Sequence, residues 1–350
     1  MSLSALVSGI QKEIGLFLIL GIVVWEAVSP VSAYAAKSAV IFVYHRFGEA
    51  AYPATDVRID QFEAQIAELK SGDYAVLSVP EILHAIAEGQ ELPDRVVGLT
   101  IDDAFRTAYT KAWPRLKSAG VPFTLFVTTD AIDHGYSGYM TWDEIRELAA
   151  NGVTIGAHSA SHMHMAEASE AAIAADIARS NRRFKEELGS VPELFAYPYG
   201  EVSLAARRQV DAAGYRFAFG QFSSVVHAGS DFLDLPRYTV NERYGALPEF
   251  RRRARALPLL VTNVTPEDAL IAGENPPPVA FTLEPGLSGI EALSCFTGQG
   301  PVSVEQVGDA RLKLRLDRPL PPGASYLNCT LPGPEDRWRW FGKPFYVPKR

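Results

Sequence analysis

Two short clusters in this chain hold residues able to bind a metal ion and act on water. The first is Asp102-Asp103, which ends the apolar run Val96–Ile101. Adjacent carboxylates repel one another unless a cation offsets their charge, and the C-terminal end of a parallel strand is where barrel and α/β enzymes place their active sites. The second is His158-Ser159-Ala160-Ser161-His162, directly after the run Val153–Ala157. On a helical turn, positions i and i+4 face the same way, so both imidazoles reach one ion. One Asp and two His from different strand ends make an N,N,O site with open positions, suited to Zn²⁺ among other divalent transition ions. Such an ion lowers the pKa of bound water and polarises a carbonyl, so amide or ester hydrolysis is the expected reaction. Taken alone, an Asp pair at a strand end is a common helix cap. His164 is a third imidazole, but at two residues beyond His162 it is expected to point elsewhere.

Thr100-Ile101-Asp102-Asp103 and His158-Ser159-Ala160-Ser161-His162 resemble the T-F-D-D and H-[S/T]-x-x-H motifs of the polysaccharide deacetylase family, the NodB-homology esterases. The resemblance covers residues 38–245 and implies a distorted (β/α)7-like barrel. It also implies Asp102 as general base and Asp103, His158 and His162 as ligands of a divalent metal. The family's third motif, R-x-P-[Y/F]-G, is matched by Ala196-Tyr197-Pro198-Tyr199-Gly200. This implies a loop at Pro198 and Tyr199 whose Tyr199 N–H meets the oxyanion. Ala196 stands where the motif has arginine, so the group that orients Asp102 must come from elsewhere, and Arg237 in Leu235-Pro236-Arg237 is the candidate. The late L-x-H motif that carries the family's general acid does not follow Gly200, where His227 sits in an unconvincing context. Instead Val43-Tyr44-His45-Arg46 resembles the permuted motif order of poly-N-acetylglucosamine deacetylases, which makes His45 the expected acid for the leaving amine. The Asp-Trp partner usual for that histidine is not evident, and Trp142-Asp143 begins a helix and reads as scaffold.

These residues need strands that end beside one another. Ala39–Tyr44, Val96–Ile101, Phe123–Thr128, Val153–Ala157, Leu194–Tyr197 and Tyr215–Phe219 alternate with helical patterns, which argues for β-α units and a mostly parallel sheet. Asp60 with Glu63, and Thr141 with Glu144, read as capping boxes, Gly72 closes the first of these helices, and Ser203 reads as an N-cap. Residues 246–275 read as a helical, Pro-rich linker. Arg251, Arg252, Arg253 and Arg255 form a solvated basic face there, and Glu274–Pro278 forms a stiff turn. Residues 276–350 read as a small all-β module with strands at Val279–Leu283, Ala310–Leu316 and Ser325–Leu331. Its Trp338, Trp340 and Phe341 read as core rather than as a sugar platform, because aromatic side chains bury large areas.

The chain has 350 residues, 47% hydrophobic and 21% charged, with net charge −8. It can bury a full core, and it lacks the basic footprint of a nucleic-acid binder. Residues 1–36 have a signal-peptide layout: Lys12, the apolar run Ile14–Trp25, then Ser32-Ala33-Tyr34-Ala35-Ala36, with a retained membrane anchor as the alternative. Export permits a Cys295–Cys329 disulfide. The expected function is removal of N-acetyl, less favourably O-acetyl, groups from an extracytoplasmic polysaccharide. A non-catalytic glycan-binding protein on a decayed scaffold, and a hydrolase of other C–N bonds in peptidoglycan, are the rivals.

Overall fold

The computed structural model describes residues 37–349. The expected leader at 1–36 lies outside the described residues. Six parallel strands form the core of the first, nine-stranded sheet, in spatial order: β1 (Ser38–Tyr44), β2 (Val96–Ile101), β3 (Thr124–Val127), β4 (Thr154–Ala157), β5 (Leu194–Ala196) and β6 (Phe217–Phe219). β7 (Tyr238–Thr239) pairs parallel to β1, and Leu235 bridges to Phe219 of β6, so one short segment hydrogen-bonds toward both edges of the sheet. The α/β architecture expected from the alternating runs is present, with all six strands.

Period-2 alternation sorts the strand residues. Ala39, Ile41, Val96, Phe126, Leu194, Ala196, Phe217, Phe219 and Leu235 share one cluster with Val79, Ile82, Leu83 and Ile86 of the helix Val79–Ala87. Residues of the other parity, such as Val40, Phe42, Val97, Leu99 and Leu125, pack with the remaining helices. Continued past the strand ends, the first parity set contains His45, Asp102, His158 and Arg237. Gly98 and Gly156 keep the inner layer thin: a Cβ at Gly156 would lie 2.4 Å from the Phe126 ring, and one at Gly98 would lie 2.7 Å from Ile41.

The capping boxes were partly as expected. Thr141 and Ser203 cap their helices, and Thr141 and Glu144 close the box. The first helix, Ile59–Ser71, instead starts from Arg58, with Gln61 accepting from the Arg58 N–H, so Asp60 lies in the first turn rather than at the cap. Gly72 does end it.

The second sheet has eight strands, in the order β8 (Leu257–Pro258), β15 (Trp338–Val347), β14 (Gly323–Pro332), β11 (Ser294–Thr297), β12 (Gly300–Val307), β13 (Arg311–Arg315), β10 (Val279–Leu283) and β9 (Val261–Thr265). β8 and β9 come from within 246–275, so that segment is not only a linker. Its side chains gave no alternating signal because β8 has two residues and β9 is only partly buried. Asn275 is also tied down, exchanging hydrogen bonds with Leu320 at 2.9 and 2.7 Å. Cys295 and Cys329 face each other across β11 and β14 and form a disulfide. The basic face is likewise not wholly solvated. Arg251 pairs with Glu68, while Arg253 is buried, donates to the Thr239 carbonyl and pairs with Glu249. Among the described residues no helix is long and apolar enough to cross a membrane.

β15 docks the second sheet on the first. The Trp340 ring meets Tyr238 edge-on at 5.5 Å, Ser224 Oγ donates to the Trp340 carbonyl, and Arg337 donates to both oxygens of Asp94 at 2.9 Å. At Gly342 an added Cβ would stand 2.2 Å from the Ser223 carbonyl oxygen. Backbone cannot yield as a side-chain tip does, so Gly342→Ala should lower the unfolding free energy by roughly 1–3 kcal/mol. Urea denaturation checks this, and an unchanged midpoint would show that the two sheets are not held at this point.

Candidate metal and hydrolytic site

The sequence neighbours Asp102 and Asp103 have separate partners. Asp102 follows the inward parity of β2 and is fully buried. Arg237 donates to it through both terminal nitrogens, Nη1 to Oδ1 at 2.7 Å and Nη2 to Oδ2 at 2.8 Å. The guanidinium also donates to Thr100 Oγ1 and to the Gly220 carbonyl, and lies 5.4 Å from the ring centres of both Phe126 and Phe219. Burial pushes the Asp102 carboxyl upward, but Arg237 together with His158 and His45 more than offsets it and holds the group below the usual carboxylate range. The arginine proposed to replace the one missing at Ala196 thus reaches Asp102, from the segment between β6 and β7.

Asp103 faces the histidines. Its Oδ1 lies 3.4 Å from His158 Nε2 and 3.1 Å from His162 Nε2, and one ligand atom from each of the three residues falls within 4.8 Å of the others. Burial raises the Asp103 carboxyl, and the two imidazoles more than reverse it. His158 Nδ1 donates to the Ala196 carbonyl at 2.7 Å, which orients the ring with Nε2 toward Asp103. Two imidazole nitrogens and a carboxylate oxygen on one point are a donor set that fits a divalent transition ion.

The helical turn expected for His158–His162 is not formed. The segment is a loop in which Ser159 and His162 have positive φ (62° and 56°). The histidines are brought together by loop closure instead: Ser159 Oγ accepts from the His162 N–H, and Asp176 accepts from Ala160 N, Ser161 N and Ser161 Oγ. Asp176 is buried on the helix Glu170–Leu188 and paired with Arg179. It gave no sequence signal, because a lone acid on an amphipathic helix reads as surface. Of nine non-glycine residues with positive φ among the described residues, five (Asp103, Ala104, Ser159, His162 and Tyr199) lie in these loops, a concentration of backbone strain typical of functional sites.

His45 is buried, and its Nδ1 has no protein partner among the described residues, in keeping with the absent Asp-Trp motif. Burial lowers its pKa overall, and Asp103 and then Asp102 pull it back only in part, so the ring lies within electrostatic reach of both carboxylates. Pro198 is buried and Tyr199 exposed, at φ 58°, with the Tyr199 ring 4.4 Å from His162 and stacked 4.0 Å from His164. His164 does point elsewhere, to Glu201 at 2.9 Å. Trp142 is scaffold, buried with its indole N–H on Asp133. His227 caps its own turn through Gly229. A cleft of about 490 Å³ opens over Asp103 and His162, with Phe105, Tyr136, Tyr139 and Tyr199 on its walls. Phe105, Tyr136 and Tyr139 were not singled out in the sequence, since loop aromatics carry no spacing signal.

The polysaccharide deacetylase family profile matches residues 89–218. The chain carries a polysaccharide deacetylase domain. It is 28% identical over 196 residues to the poly-beta-1,6-N-acetyl-D-glucosamine N-deacetylase of Staphylococcus aureus, spanning 52% of this chain and 67% of that one. Its fold is similar to that of the Streptococcus pyogenes deacetylase PplD, solved with acetate, at TM-score 0.58 and 21% identity over 63% of this chain and 99% of that one. It is likewise similar to IcaB from Ammonifex degensii, at TM-score 0.56 and 24% identity over the same 63% and 99%.

Two measurements test this arrangement of side chains. Arg237→Met strands a buried carboxylate and should cost about 3–5 kcal/mol of stability, read by urea denaturation; a loss within the range of surface substitutions would show the fork to be dispensable. Equilibrium dialysis with elemental analysis should find one divalent ion per chain in the native protein and in His164→Ala, and none in His158→Ala. Loss of the ion in His164→Ala would redraw the ligand set.

Proposed function

We propose that this protein is an exported, metal-dependent hydrolase that removes N-acetyl groups from an extracytoplasmic polysaccharide, with a polymer of N-acetylglucosamine as its substrate class. The observation that carries the reading is the division of labour between neighbours: Asp103 joins two imidazoles in one donor set, while Asp102, beside it, is held ionised by Arg237. The S. aureus relative is a poly-beta-1,6-N-acetyl-D-glucosamine N-deacetylase, which supports the substrate class. The signal-peptide layout of residues 1–36 supports export. Zn²⁺ suits two imidazoles and a carboxylate, although other divalent ions share that preference.

Asp103, His158 and His162 would hold the ion, which when bound supplies an acidified water and a Lewis acid for the acetyl carbonyl. The chain's own groups do the rest. Asp102 takes the proton from the attacking water as its oxygen bonds to the acetyl carbon; each Asp102 oxygen receives one N–H from Arg237 and keeps lone pairs free. The Tyr199 N–H, at the strained turn after Pro198, binds the oxyanion of the tetrahedral intermediate. When the C–N bond breaks, His45 gives a proton to the departing amine and acetate is released. A general acid must carry a proton; burial holds His45 below the usual histidine range overall, and the two site carboxylates offset that only in part.

Acetate release from poly-N-acetylglucosamine, measured enzymatically with and without chelator, tests the proposal. Asp102→Asn should retain the metal and lose at least about a hundredfold in kcat, and His45→Ala should lose a comparable factor. Full activity in Asp102→Asn would remove the base from the mechanism. Glycan binding with no acetate release from the native protein would favour a non-catalytic scaffold, and release of products other than acetate from peptidoglycan would favour another C–N hydrolase.

A further inference from the structure

Large aromatic side chains are not scattered over this surface. Among the described residues six are exposed: Tyr52, Tyr136, Tyr199, Tyr244, Phe296 and Trp338. Tyr136 and Tyr199 line the cleft over Asp103 and His162. Tyr244, Phe296 and Trp338 line a second and larger cleft, about 750 Å³, between the two sheets. Tyr52 lines neither, but the Arg46 guanidinium it stacks on also stacks on Phe105 of the first cleft's wall.

The second cleft adjoins the first. Gln221 is on its wall, and the Gln221 backbone packs so tightly on the Tyr199–Gly200 turn that a Cβ at Gly200 would lie 2.6 Å from the Gln221 nitrogen. Thr239, another lining residue, precedes Val240, whose N–H bonds to the carbonyl of Val43 two residues before His45. Both clefts therefore open along the rim formed by the C-terminal ends of the first sheet's strands.

Strand parity explains why Trp338 is uncovered. Gly342, Trp340 and Trp338 lie on one side of β15; Gly342 touches Ser223 and Trp340 touches Tyr238, but beyond them the first sheet falls away and Trp338 remains 38% exposed. Phe296 is 37% exposed on β11, opposite Asn328 of β14. Asn328 accepts from the Trp340 indole through its oxygen, leaving its NH₂ group for another acceptor. Three arginines and one acid also line it: Glu249 pairs with Arg252 and Arg253, and Arg243 is stacked over Tyr244, so the cleft is moderately basic. Flat apolar faces beside amide and guanidinium donors match a sugar chain, whose rings offer C–H faces and whose hydroxyl and acetyl oxygens accept hydrogen bonds.

We propose that the cleft bearing Trp338, Phe296 and Tyr244 is a second binding site for the N-acetylated glycan, holding a part of the polymer remote from the acetyl group being removed. This rests on the deacetylase reading for its ligand. In native gels containing soluble poly-N-acetylglucosamine, the Asp102→Asn protein should be retarded, and adding Trp338→Ala and Phe296→Ala together should weaken binding roughly tenfold or more, the loss of two stacking contacts. Undiminished retardation in a variant with an unchanged melting temperature overturns the proposal, as does preference for a polyuronate. Should those variants fail to fold, the native protein decides: glycan should slow oxidation of Trp338 by N-bromosuccinimide several-fold, localised by peptide mass spectrometry, and an unaltered rate overturns the site. Retardation without acetate release from the native protein would overturn the deacetylase reading and leave this site standing.

Discussion

The pairing of Arg237 with Asp102 is the interaction on which the architecture of the site depends. A carboxylate with no exposed surface is tolerable only if its charge is matched by a hydrogen-bonded partner, because the penalty for leaving an ion unpaired indoors exceeds most packing gains. Here the partner comes from the short segment that bonds to β6 through Leu235 and to β1 through Tyr238 and Thr239. Satisfying Asp102 and joining the two edges of the sheet are thus one event. The inner layer is built around it: Phe126 and Phe219 flank the guanidinium, Thr100 and Gly220 each take a further donor, and small Ala196 leaves space where a longer residue would compete. The absence of arginine from the Pro198 loop is compensated by chain topology.

With Asp102 committed to Arg237, Asp103 is free to turn to the imidazoles, and its positive φ of 73° is the local cost of aiming two successive carboxylates at different targets. The same economy shows at Ala196: with no side chain reaching for Asp102, its carbonyl receives the His158 Nδ1–H and sets the face of that ring. Asp176 completes the arrangement by taking three donors from the loop between the histidines, so a helix packed outside the sheet holds a ligand inside it.

What the sequence disclosed was what is local in the chain. Strand runs, the Asp102-Asp103 and His158–His162 clusters, and the Thr141 capping box each declare themselves within a few residues, and even Arg237 could be nominated once Ala196 was seen to lack a side chain. The helical turn between the histidines was wrong because i and i+4 proximity can also be reached by a loop with left-handed residues, and those φ values are selected by Asp176, far along the chain. The strands at Leu257–Pro258 and Val261–Thr265 were hidden for a related reason: short and half-exposed, they are strands only because β15 and β10 lie beside them. Arg253 read as solvated because three neighbours are arginines, yet helix phase buries it against Glu249 and the Thr239 carbonyl.

The expectation that the module's tryptophans are core was right for Trp340 and wrong for Trp338, although both stand on one side of one strand. Alternation decides which sheet face a side chain occupies, but burial also needs a surface opposite, and the first sheet supplies one only as far as Tyr238. An edge of this kind leaves a large apolar ring in water at a cost that core packing does not recover. That the uncovered ring shares its cleft with Phe296 and Tyr244, rather than standing singly as surface apolar residues usually do, is the physical reason to read the boundary between the sheets as a working surface rather than a seam.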